Sequence, residues 1–221
     1  MTQAAHAEHV APVIDMFAHV TPEERAVIEA RRGQHNPRPH GWHDLHYISI
    51  TDKLDAIRIY ARQGLHPILI HGVRDGRCTC GRHPCAAIGK HPVHAGWQRA
   101  ALDLDALDRD LRDSHYSIGL RTGRQPSGLV LVCIDCDGER SLLEPLEAKF
   151  GKLPPTLTAS SGKGLHLIYR FEGKGPPKNR VRLSAGVDVR SEGGQIVAAP
   201  SLHASGRRYR WIDIREPAVL P

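Results

Sequence analysis

The stretch 129-LVLVCIDCDG-138 is apolar up to Ile134 apart from one cysteine, and it then places Asp135 and Asp137 directly before a glycine. The apolar run predicts a buried strand, and residues two apart on a strand project from the same face. Two carboxylates so close repel each other, and their burial is costly unless a cation compensates. The stretch therefore predicts a strand end that binds divalent cations, with acids that simply face water as the alternative interpretation.

A second acidic stretch, 186-GVDVRS-191, repeats this pattern. Alternation places Asp188 and Arg190 on one face, with Val187 and Val189 on the other. A third carboxylate would complete an oxygen-only ligand set, which favours Mg²⁺ or Mn²⁺ over softer metals. Two such ions about 4 Å apart can activate an attacking hydroxyl and stabilise a leaving pyrophosphate. The alternative is that Asp188 and Arg190 form only a surface ion pair, which stabilises little.

A glycine-containing turn separates the segments 156-TLTASS-161 and 165-LHLIYRF-171 and predicts a β-hairpin. In the second segment, His166 shares a face with Ile168 and Arg170. The turn supplies hydroxyl groups, an ammonium group and backbone amides freed by two glycines, which together can cradle phosphates. The side chains concerned are Ser160, Ser161 and Lys163. The segment is not a Walker A loop, because it lacks the glycine spacing and no helix follows.

The order of the predicted elements indicates an α+β fold with a largely antiparallel sheet. Helices are predicted over residues 51–64, 102–111 and 140–150, and strands over 66–71, 118–120, 129–135, 156–161, 165–171, 186–191 and 195–201, with a final hairpin over 202–214. A further helix is predicted to begin at Thr21, which can cap it, with Pro22 in the first turn. We therefore expect a helical extension in residues 1–46 and a folded domain in residues 47–221.

Three of the five cysteines are crowded into one short loop, residues 78–91. The spacing Cys-x-Cys-x4-Cys, followed by a histidine, can wrap a tetrahedral zinc ion, and full ligation by protein is typical of structural sites. The cysteines are Cys78, Cys80 and Cys85. His91 and His83 compete for the fourth position. A loop of reduced thiols is the alternative interpretation.

The chain has 221 residues and a formal charge of +6, which is distributed unevenly. Between Gly162 and Arg215, eleven Lys and Arg stand against four Asp and Glu, a surplus of seven. A basic surface indicates a polyanionic partner, foremost nucleic acid, while a solubilising face is the alternative. The sequence has no apolar run long enough to cross a bilayer, and its N-terminus lacks a signal-peptide pattern, so we expect a cytoplasmic protein.

The series LVLVCIDCDG (129–138), TASSGKGLHLIY (158–169) and GVDVRSEGGQIVAAPS (186–201) resembles the bifunctional DNA primase/polymerase family of the archaeo-eukaryotic primase superfamily. That family has a hydrophobic strand ending in D-x-D/E, then a small-residue turn leading to S-x-G-x-H, then a strand with a third acid. The upstream segments 60-YARQGLHPILI-70, 89-GKHPVHAGWQRA-100 and 118-IGLRTG-123 also resemble its N-terminal half. The resemblance covers about residues 50–215.

The resemblance implies a metal-dependent nucleotidyltransferase, a DNA primase/polymerase. It would add nucleotides from NTPs or dNTPs to a 3′-hydroxyl or to an initiating nucleotide on a single-stranded DNA template, in replication of a plasmid, phage or similar element. Asp135, Asp137 and Asp188 would be the catalytic acids that bind Mg²⁺ or Mn²⁺, and His166 would contact the triphosphate. Further candidate phosphate contacts are Ser160, Ser161, Lys163 and Arg190. The alternatives are a catalytically silent nucleic-acid-binding initiator module and a different metal-dependent phosphotransferase or nuclease.

The resemblance also implies an architecture, the primase-polymerase catalytic core. An RRM-like, mainly antiparallel sheet in residues 126–221 would pack beside an N-terminal αβ module in residues 47–125, which carries the zinc loop. Some relatives have a similar cysteine-rich insert before GKHP, which favours His91 over His83 as the fourth zinc ligand. The basic segment would hold the template strand, and a helicase, to which relatives are often fused, is a candidate partner.

Overall fold

The structure is a computed structural model that describes residues 41, 42, 44, 45, 53–112 and 115–221. The helix predicted to begin at Thr21, and most of the extension predicted for residues 1–46, lie outside the described residues. Within them, the α-helices are α1 (Lys53–Arg62), α2 (Leu104–Arg112) and α3 (Glu144–Phe150), the last directly preceded by a 3-10 helix (Arg140–Leu143). None of the described helices has the length and apolar character needed to span a bilayer.

Short strands make up most of the regular structure that follows α1. They are β1 (Pro67–Ile70), β2 (Val73–Arg74), β3 (Arg77–Cys78), β4 (Ser117–Arg121), β5 (Gly123–Arg124), β6 (Val130–Cys136), β7 (Leu157–Ser160), β8 (Leu165–Arg170), β9 (Arg180–Ser184), β10 (Val187–Arg190), β11 (Gln195–Val197) and β12 (Arg210–Asp213). The larger sheet has the order β12-β7-β8-β6-β10-β9, with β5 also paired to β6. The smaller sheet has the order β1-β4-β11, and β2 pairs with β3. All these pairings are antiparallel, which confirms the predicted α+β fold with mostly antiparallel sheets.

The short connection from β10 to β11 links the two sheets. Strand β10 belongs to the larger sheet, but after a short turn at Gly193 and Gly194 the chain forms β11, which pairs with β4 of the smaller sheet. The turn is held by the Gly194 amide, which donates to the Ser191 carbonyl at 2.8 Å, and by the Thr122 amide, which donates to the Gly194 carbonyl at 2.9 Å. The strand that carries Asp188 is therefore fixed relative to the smaller sheet.

Both faces of the larger sheet pack against a hydrophobic core, and alternate side chains of β6 contribute to one core or the other. Leu131 and Cys133 belong to a core shared with α1 and the smaller sheet, whereas Ile134 and Cys136 belong to a second core with leucines of the 3-10 helix and α3. Asp135 follows the alternation of Leu131 and Cys133 and projects from the first of these faces. The candidate acids therefore lie on the face that looks toward the smaller sheet.

Two predicted elements differ in the structure. The helix predicted over 140–150 is divided, because Pro145 lacks an amide hydrogen: a 3-10 helix precedes it, and α3 begins with the proline in its first turn. The hairpin predicted over 202–214 is shorter than expected: Leu202 and Arg208 form one bridge, the His203 amide donates to the Arg207 carbonyl at 2.8 Å, and the Tyr209 amide donates to the Ser201 carbonyl at 2.9 Å. The following strand, β12, pairs with β7 instead, because Trp211 there is buried and donates to the Tyr60 hydroxyl at 3.0 Å.

His66 gives the fold a pH dependence that can be measured. The residue is 3% exposed, and its burial, with a contribution from Arg121, lowers the pKa of the imidazole to about 4. The unfolded chain has a normal histidine pKa near 6.5, so it binds the proton more readily, and stability falls as the pH drops below 6.5. We expect His66 to reduce the free energy of unfolding by about 2 kcal/mol between pH 7 and pH 5.

Urea unfolding of the wild-type chain and of a His66→Gln variant at pH 7 and pH 5 measures this contribution. The variant is expected to lose less stability on acidification, because glutamine does not titrate. Other buried histidines titrate in both proteins, so only the difference between the two pH profiles reports on His66. Equal pH dependence in the two proteins would show that the environment of His66 does not disfavour its protonation.

Candidate active site and metal centre

Three candidate site residues lie side by side on neighbouring strands of the larger sheet. Asp188 of β10 pairs in register with Asp135 of β6, and Asp135 pairs in register with His166 of β8. Directly opposed residues of antiparallel strands project from the same face, with Cβ atoms about 4.5–5.5 Å apart. The sheet therefore brings together two acids and a histidine that are far apart in the sequence, and we call these three residues the acid row.

Asp137 lies just beyond the end of β6, next to the acid row. Its amide donates to the Gly186 carbonyl at 2.8 Å, so the chain stays aligned with β10 for one residue past the strand. The Asp137 side chain is 55% exposed, whereas that of Asp135 is 23% exposed. Because Asp135 and Asp137 are two residues apart, both carboxylates point to the same side of the sheet. Asp135 lies within the sheet, and Asp137 lies at its rim.

Each of the three carboxylates faces a different basic side chain. Arg190 Nη2 lies 2.6 Å from Asp188 Oδ2, and Lys163 Nζ lies 3.7 Å from Asp137 Oδ2. His166 Nε2 lies 3.5 Å from Asp135 Oδ1, which is longer than an ordinary hydrogen bond. The predicted phosphate-binding residues Lys163, His166 and Arg190 are thus all adjacent to the predicted metal-binding acids.

The carboxylates are less tightly gathered than the ligands of a loaded metal site. Among the described residues, the group whose candidate ligand atoms all lie within 4.8 Å of one another is the cysteine cluster described below, not the three acids. Asp188 is also held from the other side, because the Arg182 amide donates to its Oδ1 at 2.7 Å. The donor set itself, oxygen-only and half-buried to exposed, fits Mg²⁺ or Mn²⁺.

Burial favours the neutral form of His166. It is 5% exposed, and burial lowers the pKa of its imidazole even though Asp135 opposes the shift. Its Nδ1 is buried without a hydrogen-bond partner among the described residues, and its ring lies at a tilt against Tyr209 with 5.7 Å between centroids. A neutral imidazole can donate one hydrogen bond through the nitrogen that carries its proton and accept one through the other nitrogen.

The turn before His166 is organised by Ser161. Its Oγ accepts hydrogen bonds from the Lys163 amide at 3.2 Å and the Gly164 amide at 2.9 Å. These amides were expected to be free for phosphates, but they are used to hold the turn, because a serine at the start of a tight turn captures nearby backbone donors. What the turn presents at the rim of the site is the Lys163 ammonium beside Asp137.

Ser160 is not brought to the acid row. It pairs in register with Leu165, which packs in the core on the opposite face of the sheet, whereas its neighbour Ala159 pairs with His166. The Ser160 hydroxyl donates to the Arg210 carbonyl at 3.4 Å. Strand alternation turns the Ser160 side chain away from the acid row, so the structure does not bring this predicted phosphate contact together with the other site residues.

The structure adds three residues to the surroundings of His166: Lys90, His203 and Tyr209. Tyr209 is buried and lies between the rings of His166 and His203. A Cβ at Gly162 would lie 2.0 Å from the His203 ring, so the hairpin turn packs directly on that histidine. Lys90 is close enough for its charge to contribute to the lowered pKa of His166 and of His203, after burial in both cases. Only the GKHP similarity pointed to this segment, and no spacing rule singled out the lysine.

The cysteine loop forms a compact candidate metal centre. The ligand atoms of Cys78, Cys80, Cys85 and His91 all lie within 4.8 Å of one another. His91 Nε2 lies 3.3 Å from Cys78 Sγ and 3.6 Å from Cys85 Sγ. A tetrahedral site with zinc–ligand distances of about 2.0–2.3 Å separates its ligands by roughly 3.3–3.8 Å, so the spacing fits zinc. His83 is exposed and lies outside this group.

Backbone amides support the metal centre from outside. Burial raises the pKa of the Cys78 thiol, but hydrogen bonds from the Gly89 and Cys80 amides, with further thiol contacts, outweigh burial and lower it overall. A lowered pKa favours the thiolate, which is the form that binds metal. This electrostatic preparation concerns Cys78. A hydrogen bond from the Ala87 amide lowers the pKa of the Cys85 thiol, but burial and the Cys78 and Cys80 thiols raise it overall.

An antiparallel sheet that presents carboxylates beside a neutral histidine and basic side chains is suited to metal-assisted phosphoryl or nucleotidyl transfer. The sequence model of the bifunctional DNA primase/polymerase family, N-terminal domain, matches residues 59–221, and the chain belongs to this family. A comparison with curated proteins finds no match. Membership confirms the resemblance derived from the motifs and gives the chain a primase/polymerase-type function, with DNA and nucleotides as the substrates that such a function implies.

Proposed function

We propose that the chain is a metal-dependent DNA primase/polymerase that transfers nucleotides from NTPs or dNTPs to a 3′-hydroxyl, or to an initiating nucleotide, on a single-stranded DNA template. Its context would be the replication of a plasmid, phage or similar element. The observation that carries this proposal is the acid row, Asp188–Asp135–His166, in register across three strands of a chain that belongs to the family.

In this proposal Asp135, Asp137 and Asp188 hold Mg²⁺ or Mn²⁺. When bound, these ions supply activation of the attacking hydroxyl and neutralise charge on the leaving pyrophosphate. The exposed Asp137 at the rim and the less exposed Asp135 and Asp188 within the sheet would together hold these ions. A nucleoside triphosphate bound beside these acids would have its phosphates within reach of the basic groups that flank them.

The basic side chains then bind and orient the triphosphate. His166 donates a hydrogen bond from a neutral ring that is fixed by burial and by its contact with Tyr209. Lys163 and Arg190 provide cationic contacts, the arginine with a planar fork that suits phosphate oxygens. Ser161 contributes by holding the turn that presents Lys163. The basic surplus between Gly162 and Arg215 supports contact with the template backbone, which would weaken with salt.

Primer synthesis on an unprimed single-stranded template tests the proposal. The protein is incubated with either all four NTPs or all four dNTPs, each with Mg²⁺ or Mn²⁺, and the products are resolved by length. Products longer than a dinucleotide that form only with added metal would support the proposal. Template binding without synthesis under every condition would overturn it in favour of a catalytically silent initiator module.

We also propose that the loop 78–91 binds one structural zinc ion through Cys78, Cys80, Cys85 and His91. The purified protein is expected to contain about one zinc per chain by elemental analysis. His91→Asn is expected to lose the metal at least about tenfold more readily than the wild type, whereas His83→Asn serves as the matched control and retains it. A metal-free, normally folded wild-type protein, or loss of zinc in the His83 variant alone, would contradict this assignment.

We take residues 1–46 as an extension of the catalytic domain 47–221, with an N-terminal αβ module in 47–125 and an RRM-like module in 126–221. The larger sheet supports the second module, while β11 links it to the smaller sheet. A cytoplasmic location is proposed from the sequence pattern, and a helicase partner is proposed from the family resemblance.

A further inference from the structure

Strand β9 forms an edge of the larger sheet, next to the strand that carries Asp188. It pairs with β10 on one side, and no other strand in the described part of the chain pairs with its outer side. The pairing is irregular, because three residues of β9 (181–183) are opposite one residue of β10, Asp188. The amide of Arg182, the middle one of the three, donates to Asp188 Oδ1 at 2.7 Å. The edge strand is therefore in direct contact with the acid row.

The residues on either side of this contact are exposed and apolar. Val181 is 61% exposed and Leu183 is 40% exposed, and neither is part of the two hydrophobic cores. Ser184 is opposite Val187, which belongs to the second core, so alternation places Val181 and Leu183 on the other face of the sheet. That is the face of the acid row, which is thus bordered by a small apolar surface that is open to solvent.

The segment that leads into this edge carries only positive charge. Residues 173–182 contain four basic side chains and no Asp or Glu. All four residues are exposed, and no ion pair joins any of them to an acid within the described residues. They are Lys174, Lys178, Arg180 and Arg182. Asn179 holds the segment in place, because it accepts from the Ser191 amide and donates to the Glu192 carbonyl, both at 2.7 Å.

Basic side chains and a bulge also protect edge strands from pairing with other chains. Protection alone does not account for exposed apolar side chains beside the candidate metal-binding acids, because such side chains work against it. An apolar surface flanked by cations instead fits a single strand of nucleic acid, whose bases and sugars have apolar faces and whose phosphates are anionic. Charge complementarity and the contact with Asp188 therefore favour a nucleic-acid strand on this edge.

We infer that the β9 edge binds the strand that is extended, with its 3′-terminal nucleotide against Val181 and Leu183 and its phosphates near the basic segment. This role rests on the proposed function. In nucleotidyl transfer the 3′-oxygen bonds to the α-phosphorus of the triphosphate, its proton passes to water, and pyrophosphate leaves from the opposite side. The proposed triphosphate contacts His166 and Lys163 lie at the β8 side of the acid row, so the 3′-hydroxyl approaches from the β9 side.

Steady-state extension of a labelled primer on a longer template tests the contact. Val181→Ser combined with Leu183→Ser is expected to raise the KM for the primer–template about fivefold or more and to leave the KM for the nucleotide unchanged. Val181→Ser alone replaces the pair if the double variant does not fold. Ile212→Ser is the matched control and should behave as the wild type, because Ile212 is 57% exposed on β12, at the other edge of the same sheet.

Cross-linking distinguishes the extended strand from the template. Val181→Cys is mixed with a primer–template that carries an activated disulfide tether, either on the 3′-terminal primer nucleotide or on one of the unpaired template nucleotides. Thiol–disulfide exchange is followed on a non-reducing gel, and the wild-type chain reports the background from its own cysteines. The tethered primer is expected to cross-link and the tethered templates are not. Cross-linking to the template in place of the primer, or to neither strand, would overturn the inference.

The outcomes separate this inference from the proposed function. A wild-type chain that extends no primer with either metal contradicts both. A wild-type chain that extends primers, with an unchanged KM for the primer–template in the serine variant, contradicts the inference alone. An equal rise in the KM for the nucleotide would also contradict it, since the effect would not be confined to the strand.

Discussion

Asp135→Asn is expected to lower primer synthesis by about 10³-fold or more while the fold and template binding persist. Asparagine has nearly the same shape as aspartate but lacks the charge that binds a divalent cation. Asp135 occupies the centre of the acid row, with Asp188 on one side and His166 on the other, so its loss affects every metal position that the row can provide. Single-turnover extension of a labelled primer measures the loss.

Stability and binding measurements separate this chemical role from a structural one. Removing one of several repelling carboxylates is not expected to reduce the free energy of unfolding, and DNA binding measured by anisotropy should stay equal or become tighter. Glu144→Gln, at the exposed start of α3, is the matched loss of one negative charge outside the site and should extend primers normally. A variant at Asp135 that extends within about tenfold of the wild-type rate would remove the acid row from the mechanism.

Much of this site follows from local periodicity, which a single sequence contains. The alternation in 129-LVLVCIDCDG-138 fixes which side chains face the core, and it correctly places Asp135 on the same face as Leu131 and Cys133. The same rule could have excluded Ser160: it shares its face with Thr158, and both point away from the face of Ala159 and His166. Proximity to a turn does not by itself bring a side chain to the acid row, because strand alternation decides which face the side chain occupies.

A single sequence does not show which distant segments pair or pack with each other. Asp188 is opposite Asp135 because β10 pairs with β6 in one particular register, and a shift of a single residue would turn Asp188 to the other face. Lys90, His203 and Tyr209 approach His166 through the packing of the smaller sheet and the loops against the larger sheet. None of these residues belongs to a local sequence pattern. Only the motif resemblance or the folded structure therefore identifies them as neighbours of His166.

Gly164→Ala is expected to reduce the free energy of unfolding by about 2–3 kcal/mol, which corresponds to a melting temperature lower by roughly 5–10 °C. Gly164 ends the turn between β7 and β8, where the chain passes over the end of β6. A Cβ there would lie 2.0 Å from the Cys136 carbonyl oxygen and 2.3 Å from the Gly138 amide nitrogen. These are backbone atoms, which cannot rotate away as a flexible side chain can, so one strand end must move.

The displacement also affects catalysis, because the same turn carries Lys163 and the same strand end carries Asp137. Primer synthesis is expected to fall about tenfold or more at a temperature where the variant remains folded, since placement errors of this size are costly at an active site. Gly175→Ala is the matched control, because a Cβ at Gly175 meets nothing within 4 Å. Normal stability in Gly164→Ala would show that the turn and the end of β6 are not closely packed. Normal stability with reduced synthesis would instead show that the displacement is confined to Lys163 and Asp137. These two side chains would then move more easily than the rest of the site.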